Sequence, residues 1–375
     1  MYMFRTKRNT LVKRLWKARV AKKQYEASGE TETLVSSSPP SYCWCCCGNR
    51  HTSSCSEQQQ QQCYSAEMVR SDLLKRFKEN QLEMLLAAIE SRGADLSACV
   101  LLPRDQPPML DPRLLCCQLW RWPDLRQAAE LKRLPVCRSS KDTVYICCNP
   151  YHWSRLCKPE SPPPPYCRFA RERLRPEDRA PSEGQCPAVQ CHGSLTTNGE
   201  GEAGEREWCK LAYWELATRV GRLFSVELPA VNVFTTLPHG DGLCLATLTQ
   251  HAFSPPHESV RRTRAKIGLG VTLSQEGDGV WAYNRSDSPI FINSPTLEDP
   301  ESRTLLVYRV PPGHCLNIFN ADKASCSRHW DYSGTGPVDP NSVRISFAKG
   351  WGPNYSRQEV TACPCWLEVL LAPCR

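Results

Sequence analysis

The sequence has 375 residues and a formal net charge of +8. A single hydrophobic core rarely extends beyond about 250 to 300 residues, so at least two domains are expected. Residues 1–23 carry nine basic and no acidic side chains, which leaves the rest of the chain nearly neutral. The surplus charge therefore belongs to one terminal segment, which excludes a protein that is basic throughout.

The 23 cysteines are the other unusual feature of the composition. No apolar stretch reaches the roughly 18 residues of a membrane span, and the amino terminus lacks the apolar centre of a secretory signal. We therefore expect neither a membrane span nor secretion. In a reducing compartment, cysteines serve as free thiols, metal ligands or catalytic groups.

The first predicted element is a cationic amphipathic helix over Thr6–Val20, a pattern typical of import signals and of nucleic-acid or membrane-surface contacts. Residues 27–66 show no periodicity and contain a cysteine run at Cys43–Cys47 and a glutamine run. We predict that residues 1–67 form a basic arm and a disordered Cys/Gln/Ser-rich segment. The cysteine run could bind metal or carry palmitate, but its spacing favours ordinary thiols.

A small domain is predicted over residues 68–158. Apolar residues recur at helical spacing from about Met68 to Arg92, and Gly93 is the expected stop. The chain from Cys99 to Cys157 is compact and rich in tryptophan and cysteine. A linker rich in Pro, Gly, Glu and Ser follows over residues 159–207.

Residues 208–375 have the texture of a β-sandwich, because short apolar runs are separated by Gly, Pro, Asn and Asp. The clearest runs are Val231–Phe234, Val280–Tyr283, Pro289–Ile292 and Thr304–Tyr308, and the helical patterns are Glu258–Lys266 and Ala321–Ser327. The predicted fold class is multidomain α+β, with a small α/β N-terminal domain and a C-terminal β-sandwich with flanking helices.

Three cysteines and one histidine of the first domain could form a metal site. Cys147 lies five residues before His152, Cys137 lies ten residues before Cys147, and Cys99 lies further upstream. Three thiolates and one imidazole suit a closed, structural zinc site, because soft S and N donors match Zn²⁺ and leave no position for water. Spacing alone leaves buried, unligated cysteines as an equal alternative.

Catalytic motifs are not found in the sequence. It lacks a nucleophile elbow, a phosphate-binding loop and a His-Glu-x-x-His segment. Cys363-Pro364-Cys365 is too tight for thioredoxin-type chemistry, and His239 and Asp241 have no motif around them. We therefore expect a protein that is not an enzyme.

Several longer motifs resemble those of the Smad family. Arg121–Leu125 and Cys147–His152 resemble the N-terminal Mad-homology domain. Six further motifs resemble the C-terminal Mad-homology domain: Trp208–Cys209, Ala212–Glu215, Arg219–Leu223, Asp278–Trp281, Tyr283–Arg285 and Lys349–Gly352. Met3–Arg8 and Glu160–Tyr166 resemble one subgroup, the inhibitory Smads.

The resemblance implies that the first domain contains zinc, bound by Cys99, Cys137, Cys147 and His152. Cys148 occupies a position that is not a ligand in the family. In sequence, three further cysteines lie close enough to substitute for a ligand: Cys116, Cys117 and Cys157.

Sequence-specific DNA binding is not expected. DNA-binding Smads place a β-hairpin in the major groove, where Arg, Gln and Lys reach the base edges. The corresponding stretch, Pro103–Leu115, is short, contains three further prolines, and offers only Arg104 and Arg113. We expect a surface loop here and weak or non-specific DNA binding at most, with phosphate affinity supplied by the basic arm.

The linker motif is expected to bind a WW domain. Its prolines preset a polyproline II helix, and Tyr166 supplies the anchoring ring next to Pro163 and Pro164. In the inhibitory Smads such a ligand recruits HECT-type ubiquitin ligases, which are therefore an implied partner. A rigid spacer is the alternative interpretation.

Two basic clusters in the C-terminal half suggest a groove for a phosphorylated segment, since Arg clusters bind phosphate through charge-assisted hydrogen bonds. In the resembled subgroup this groove engages activated type I receptors of the TGF-β and bone morphogenetic protein (BMP) pathways. The implied residues are Arg262, Arg264, Lys266, Lys349 and Arg357. A solvated face is the alternative.

The resemblance implies an inhibitory Smad, a negative regulator in the nucleus and cytoplasm that blocks phosphorylation and complex formation of receptor-activated Smads. The last residues carry no Ser-Ser-x-Ser acceptor, so we expect no activation by phosphorylation there. Ser259–Arg264 and Asp339–Arg344 resemble the BMP-antagonising subgroup, whereas Glu359 replaces an expected aromatic residue. Other Smads are expected partners.

The alternative function is a nuclear transcriptional co-repressor that acts through the zinc-containing domain with other co-repressors. A scaffold without receptor contact is a third option.

Overall fold

The computed structural model describes residues 2–20, 72–94, 98–104, 111–157, 207–236, 242–250, 255–277, 279–297, 306–327 and 341–371. The chain divides into two compact units, an N-terminal one up to Leu156 and a C-terminal one that takes most of the chain after it. Among the helices of these ranges, none is long and apolar enough to cross a bilayer. The Cys43–Cys47 run and the Pro163–Tyr166 motif lie outside the described residues.

The N-terminal unit is mixed α/β, as predicted. Its helices are α1 (Tyr2–Lys17), α2 (72–76), α3 (Glu79–Glu90) and α4 (Pro112–Trp120), and its strands are β1 (Leu101–Pro103), β2 (Leu131–Arg133), β3 (Tyr145–Cys147) and β4 (Trp153–Leu156). Strand β1 pairs with β3 and strand β2 pairs with β4, both antiparallel.

The predicted basic helix is present as α1, and its apolar side is packed into the N-terminal unit. Leu11 and Leu15 are buried in one cluster with Leu82 and Leu85 of α3. The Trp120 indole Nε1 donates to the Leu15 carbonyl at 3.1 Å. Burial of a leucine side chain contributes roughly 1.5–3 kcal/mol, so apolar contact is what anchors this helix.

Much of the basic charge of α1 is matched within the same unit. Lys7 lies 2.6 Å from Glu83, and Arg14 lies 2.6 Å from Glu90. These pairs are exposed, and such pairs contribute about 0–1 kcal/mol each, so they orient the helix more than they stabilise it. The cationic amphipathic helix predicted from the sequence therefore packs on the N-terminal unit.

The helix predicted to run up to Arg92 is divided into α2 and α3. Lys78, between them, is extended, and its N–H donates to the Gln81 side chain at 2.8 Å, which begins α3. The Arg8 guanidinium of α1 binds the carbonyls left free at the end of α2, those of Phe77 at 2.8 Å and Leu74 at 3.0 Å. Periodicity alone could not reveal this break, because its capping group is remote in sequence.

Helix α3 ends at Glu90, two residues before the predicted end at Arg92, and Gly93 lies in the turn that follows. Its φ of +74° lies in the left-handed region that favours glycine. A Cβ at this position would also lie 2.8 Å from the Cβ of Tyr151, closer than side chains pack. Both conformation and space therefore require glycine here.

The stretch compared with a DNA-reading hairpin begins at the last residue of β1 and ends in the first turn of α4. Asp111 caps α4 by accepting from the Arg113 N–H at 3.0 Å, and it also binds the Arg113 guanidinium. The Arg104 guanidinium contacts the Asp142 and Tyr145 carbonyls at 3.4 Å. Both arginines thus have partners within the fold, while residues 105–110 lie outside the described ranges.

The C-terminal unit contains two sheets, which confirms a sheet-rich fold. One sheet, called the outer sheet below, has the order β12-β11-β14-β15-β5-β6, and the other contains β13-β10-β9-β7-β8. The strands are β5 (Cys209–Glu215), β6 (Thr218–Val226), β7 (Ala230–Phe234), β8 (Gly242–Cys244), β9 (Val271–Glu276), β10 (Gly279–Asn284), β11 (Ile290–Asn293), β12 (Tyr308–Val310), β13 (His314–Asn320), β14 (Ser342–Phe347) and β15 (Trp366–Leu371).

The two sheets share one apolar core to which α6 also contributes. The helices of this unit are α5 (Leu245–Thr249), α6 (Glu258–Ile267) and α7 (Ala321–Ser327), so both predicted helices are confirmed. Alternate residues of β15, such as Leu367 and Val369, are buried in this core. The run predicted at Thr304–Tyr308 is displaced, because β12 begins only at Tyr308.

Candidate functional site

The four predicted metal ligands lie together in the N-terminal unit. Their ligand atoms all lie within 4.8 Å of one another. The Cys99 and Cys137 sulfurs are 3.8 Å apart, and His152 Nδ1 lies 3.5 Å from the Cys99 sulfur and 3.4 Å from the Cys147 sulfur. Tetrahedral zinc, with Zn–S of about 2.3 Å and Zn–N of about 2.0–2.1 Å, requires S···S and S···N edges of about 3.8 and 3.5 Å.

Local structure explains how residues so far apart in sequence meet. Cys147 ends β3, and β1 pairs with it through Leu101, which places Cys99 beside the same edge. His152 belongs to a short 3-10 turn that starts at Pro150. Cys137 lies directly before a third segment, the 3-10 helix Arg138–Lys141. The donor set therefore comes from a small sheet edge and two turns, and it fits a closed four-ligand metal site.

Crowding of the thiols has electrostatic consequences. Hydrogen bonds from Cys147 and Cys99 lower the pKa of Cys137, and the reciprocal contact with Cys137 raises the pKa of Cys147. The three thiols cannot all ionise at these distances unless a cation offsets the repulsion between the resulting thiolates. A bound divalent metal would supply that charge.

The alternative ligands named from the sequence are placed elsewhere. Cys116 and Cys117 are buried on α4 in apolar clusters, and burial raises the pKa of Cys117 to about 12. A thiol with that pKa is neutral near pH 7 and packs as a small apolar group. Neither these two nor Cys157 belongs to the described cluster of ligand atoms.

Helix α6 presents two different sets of residues. Val260, Thr263 and Ile267 are buried, whereas Arg262 and Lys266 are exposed on the opposite side. Arg262 is 76% exposed and binds Glu258 one turn earlier, an exchangeable surface pair. Two of the predicted groove residues thus face solvent from this helix.

Arg264, also predicted for the groove, lies on the buried side of α6. Its Nε donates to Glu215 Oε1 at 2.5 Å and its Nη2 to Oε2 at 2.7 Å, with side chains only 21% and 12% exposed. Burial acts to lower the pKa of Arg264, but the Glu215 carboxylate outweighs it and raises that pKa, so the guanidinium stays charged. This bidentate pair fastens α6 to the end of β5.

The loop that carries Lys349 and Arg357 is held on the outer face of the outer sheet. Trp351 is 2% exposed and clusters with Phe291 and Trp366 of that face. Within the loop, the Gly352 N–H donates to the Arg357 carbonyl at 2.7 Å. The half-buried Lys349 and Arg357 are therefore positioned by a small apolar cluster beneath them.

Gly350 in this loop is required by close packing. The Tyr355 ring lies 2.6 Å from the place where a Cβ would be. Any larger residue would push that ring away and loosen the loop. Glu359, the residue that departs from the resembled family, is exposed and accepts a hydrogen bond from Thr361 at 3.2 Å.

The segment Cys363–Trp366 joins the two basic elements. The Cys363 thiol donates to the Lys349 carbonyl at 3.7 Å, and the Cys365 thiol donates to the Val260 carbonyl of α6 at 3.7 Å. Burial raises the pKa of Cys365 to about 12, which keeps its proton in place. We call the exposed and half-buried cations around this segment, Arg262, Lys266, Lys349 and Arg357, the basic surface.

Sequence reasoning did not identify Trp366 as the organiser of this surface. Its ring stacks on Trp214 at 5.1 Å between centroids and 9° between planes, and its Nε1 donates to the Leu216 carbonyl at 2.8 Å. The sequence signal for this contact is a tryptophan in each of two strands, Trp214 in β5 and Trp366 in β15. Their contact depends on the pairing of β15 with β5, which joins residues 150 positions apart.

Comparison with known proteins gives a consistent result. The MH1 domain model matches residues 66–157 and the MH2 domain model matches residues 206–372. The chain is 50% identical to Mothers against decapentaplegic homolog 6 of Gallus gallus over 80% of this chain and 73% of that protein. It is 44% identical to Mothers against decapentaplegic homolog 7 of Homo sapiens (80% and 76% covered) and 30% identical to Dwarfin sma-3 of Caenorhabditis elegans (69% and 72% covered).

Arg264→Met should destabilise the C-terminal unit by about 1–3 kcal/mol, because Glu215 would remain largely buried without its cation. Hydrogen exchange of the β5 and β15 amides in the full chain measures this change. Arg261→Met is the matched control, since Arg261 is 72% exposed and, within the described ranges, forms an ion pair with Glu258 alone. Equal exchange rates in the two variants would refute a structural role for Arg264.

Proposed function

Because the chain belongs to the Smad family, within its inhibitory group, we propose that it is a negative regulator of TGF-β and BMP signalling that binds activated type I receptors. Its basic surface would hold the phosphorylated segment of the receptor. Occupied in this way, the receptor would be blocked from receptor-activated Smads. Resemblance of Ser259–Arg264 to one subgroup supports a preference for BMP receptors.

The observation that carries this proposal is the meeting of two basic elements at one end of the outer sheet. Among the described residues, no carboxylate lies within ion-pair distance of Lys266, Lys349 or Arg357. A phosphorylated serine or threonine carries a charge near −2 and three strong acceptor oxygens. Uncompensated cations fixed by packing beneath them are suited to such a ligand, because little side-chain freedom remains to be lost.

The linker would supply the second activity. Pro163, Pro164 and Tyr166 lie outside the described residues, so the support is the sequence pattern and the family. A preset polyproline II segment binds a WW domain at low entropic cost. We infer that HECT-type ubiquitin ligases are recruited there to the receptor, which makes the chain an adaptor. Complexes with other Smads, and presence in both nucleus and cytoplasm, belong to the same proposal.

Zinc is the proposed cofactor of the N-terminal unit, bound by Cys99, Cys137, Cys147 and His152. Its role would be structural, since all four positions are taken by protein ligands and no site remains for water. It would cross-link β3, the chain before β1 and the turn at His152, in a unit whose core is small. The co-repressor alternative, which relies on this unit, gains no support from Arg104 and Arg113, whose guanidinium groups already have partners in the fold.

Receptor binding is tested by reversing the charge of all four residues of the basic surface to glutamate. The full-length variant should bind a phosphorylated type I receptor kinase domain at least about 50-fold more weakly, because several charge-assisted contacts become repulsive. Surface plasmon resonance at fixed ionic strength gives the dissociation constants.

The matched control reverses four exposed cations of the N-terminal unit, Lys13, Lys17, Lys78 and Arg126. It changes the net charge equally and should change affinity less than about threefold. Unchanged affinity in the first variant, or an equal loss in both, would contradict receptor binding by the basic surface.

Metal binding is tested by Cys147→Ser in the full chain. Purified wild type should contain about one zinc per chain, whereas the variant should contain less than about half, because one of four ligands is lost. Cys117→Ser is the control, since Cys117 is equally buried but distant from the ligand atoms. Atomic emission gives the metal content, and a full equivalent in Cys147→Ser would exclude this site.

A further inference from the structure

Arg219 lies at the same end of the outer sheet as the basic surface, although it belongs to neither of the two basic clusters in the sequence. Strand pairing aligns Ser346 with Trp366, Trp366 with Trp214, and Trp214 with Arg219. Directly paired residues of neighbouring strands project from the same face of a sheet. Arg219 therefore stands on the outer face, in one row with the stacked tryptophans and next to Trp214.

The position of Arg219 is open to a partner. In the described part of the chain, β6 pairs only with β5 and forms one edge of the outer sheet. Arg219 is exposed, and no described carboxylate lies within ion-pair distance of it. By contrast, the charge of Arg264 is matched by Glu215, the residue that follows Trp214.

The row also gives a distance. Neighbouring strands lie about 4.8 Å apart, so the three steps from Ser346 on β14 to Arg219 on β6 span about 14 Å. The Ser346 hydroxyl donates to the Lys349 carbonyl at 2.6 Å, which fixes the start of the basic loop at the Ser346 end of the row. An extended peptide rises about 3.3 Å per residue and covers this span in about four residues.

We propose that Arg219 is a further anion-binding residue of the basic surface, which contacts a second phosphate on the same extended, Ser/Thr-phosphorylated segment. This inference rests on the proposed function and adds a specificity rule to it. A segment with two phosphates about four residues apart reaches both Lys349 and Arg219, whereas one with adjacent phosphates reaches only one of them. The half-buried Trp214, next to Arg219 in the row, offers an apolar contact to the residues in between.

A second copy of this chain fits the β6 edge poorly. Antiparallel pairing of two β6 edges about the centre of the strand would place Arg222 of one copy opposite Arg222 of the other. Like charges facing each other across a strand pair are destabilising. The exposed arginines therefore favour an anionic segment of a different protein.

The test uses full-length protein and three synthetic peptides of one sequence: a singly phosphorylated one, one with phosphoserines four residues apart, and one with adjacent phosphoserines. In fluorescence anisotropy at fixed ionic strength, Arg219→Glu should weaken binding of the four-residue-spaced peptide by about five- to tenfold. Affinity for the other two peptides should change less than about twofold.

Lys13→Glu is the matched control. Lys13 is exposed on α1 of the N-terminal unit and does not belong to the row of the outer sheet. Its reversal changes the net charge identically and should leave all three affinities within about twofold.

The outcomes separate this inference from the proposed function. If reversal of the basic surface abolishes peptide binding while Arg219→Glu behaves like Lys13→Glu, the role of Arg219 is refuted and receptor binding stands. If Arg219→Glu weakens all three peptides equally, a general charge effect replaces the specific second contact. If reversal of the basic surface leaves the affinities of all three peptides unchanged, both proposals are refuted.

Discussion

The stacking of Trp366 on Trp214 is the contact on which the arrangement of the C-terminal unit depends. Trp366 begins β15, stacks on β5, and donates a hydrogen bond to the turn after β5 at Leu216. On the outer face it supports the basic loop through Trp351, and the residue before it, Cys365, contacts α6. A large ring fixed by both packing and one hydrogen bond therefore sets where two separate basic elements meet.

Charged residues in this region divide into those used by the fold and those left for a partner. Arg264 is partly buried and bound on two sides by Glu215, so it holds α6 in place. Lys266 and Lys349 have no such partner among the described residues. Lys266 is exposed and Lys349 is half-buried, so both ammonium groups remain accessible to a partner. Replacement of a structural cation and of a binding cation should therefore have separable effects, on stability in one case and on affinity in the other.

The sequence predicted those features that depend on local pattern or on side-chain type. The sheet-rich second unit follows from alternating apolar runs, and the four metal ligands follow from donor type together with the family resemblance. Features that depend on remote partners were not predictable. The break between α2 and α3 is capped by Arg8, some seventy residues away, and the buried orientation of Arg264 is set by Glu215 on another strand. Helix α4 begins within the stretch for which a surface loop is expected, although Asp111-Pro112 is a helix-start signal.

The most direct measurement is an NMR spectrum of the tryptophan indole N–H groups. Trp214 Nε1 is buried without an acceptor among the described residues, and Trp366 Nε1 is bonded within the same row, so both signals should respond to a ligand on the basic surface. The ¹⁵N-labelled full chain is titrated with the peptide whose phosphoserines are four residues apart. Both indole signals should shift, and those of Trp120 and Trp153 in the N-terminal unit should stay fixed. Shifts confined to the N-terminal unit, or no shift of Trp214 and Trp366 at saturation, would contradict phosphopeptide binding at this end of the sheet.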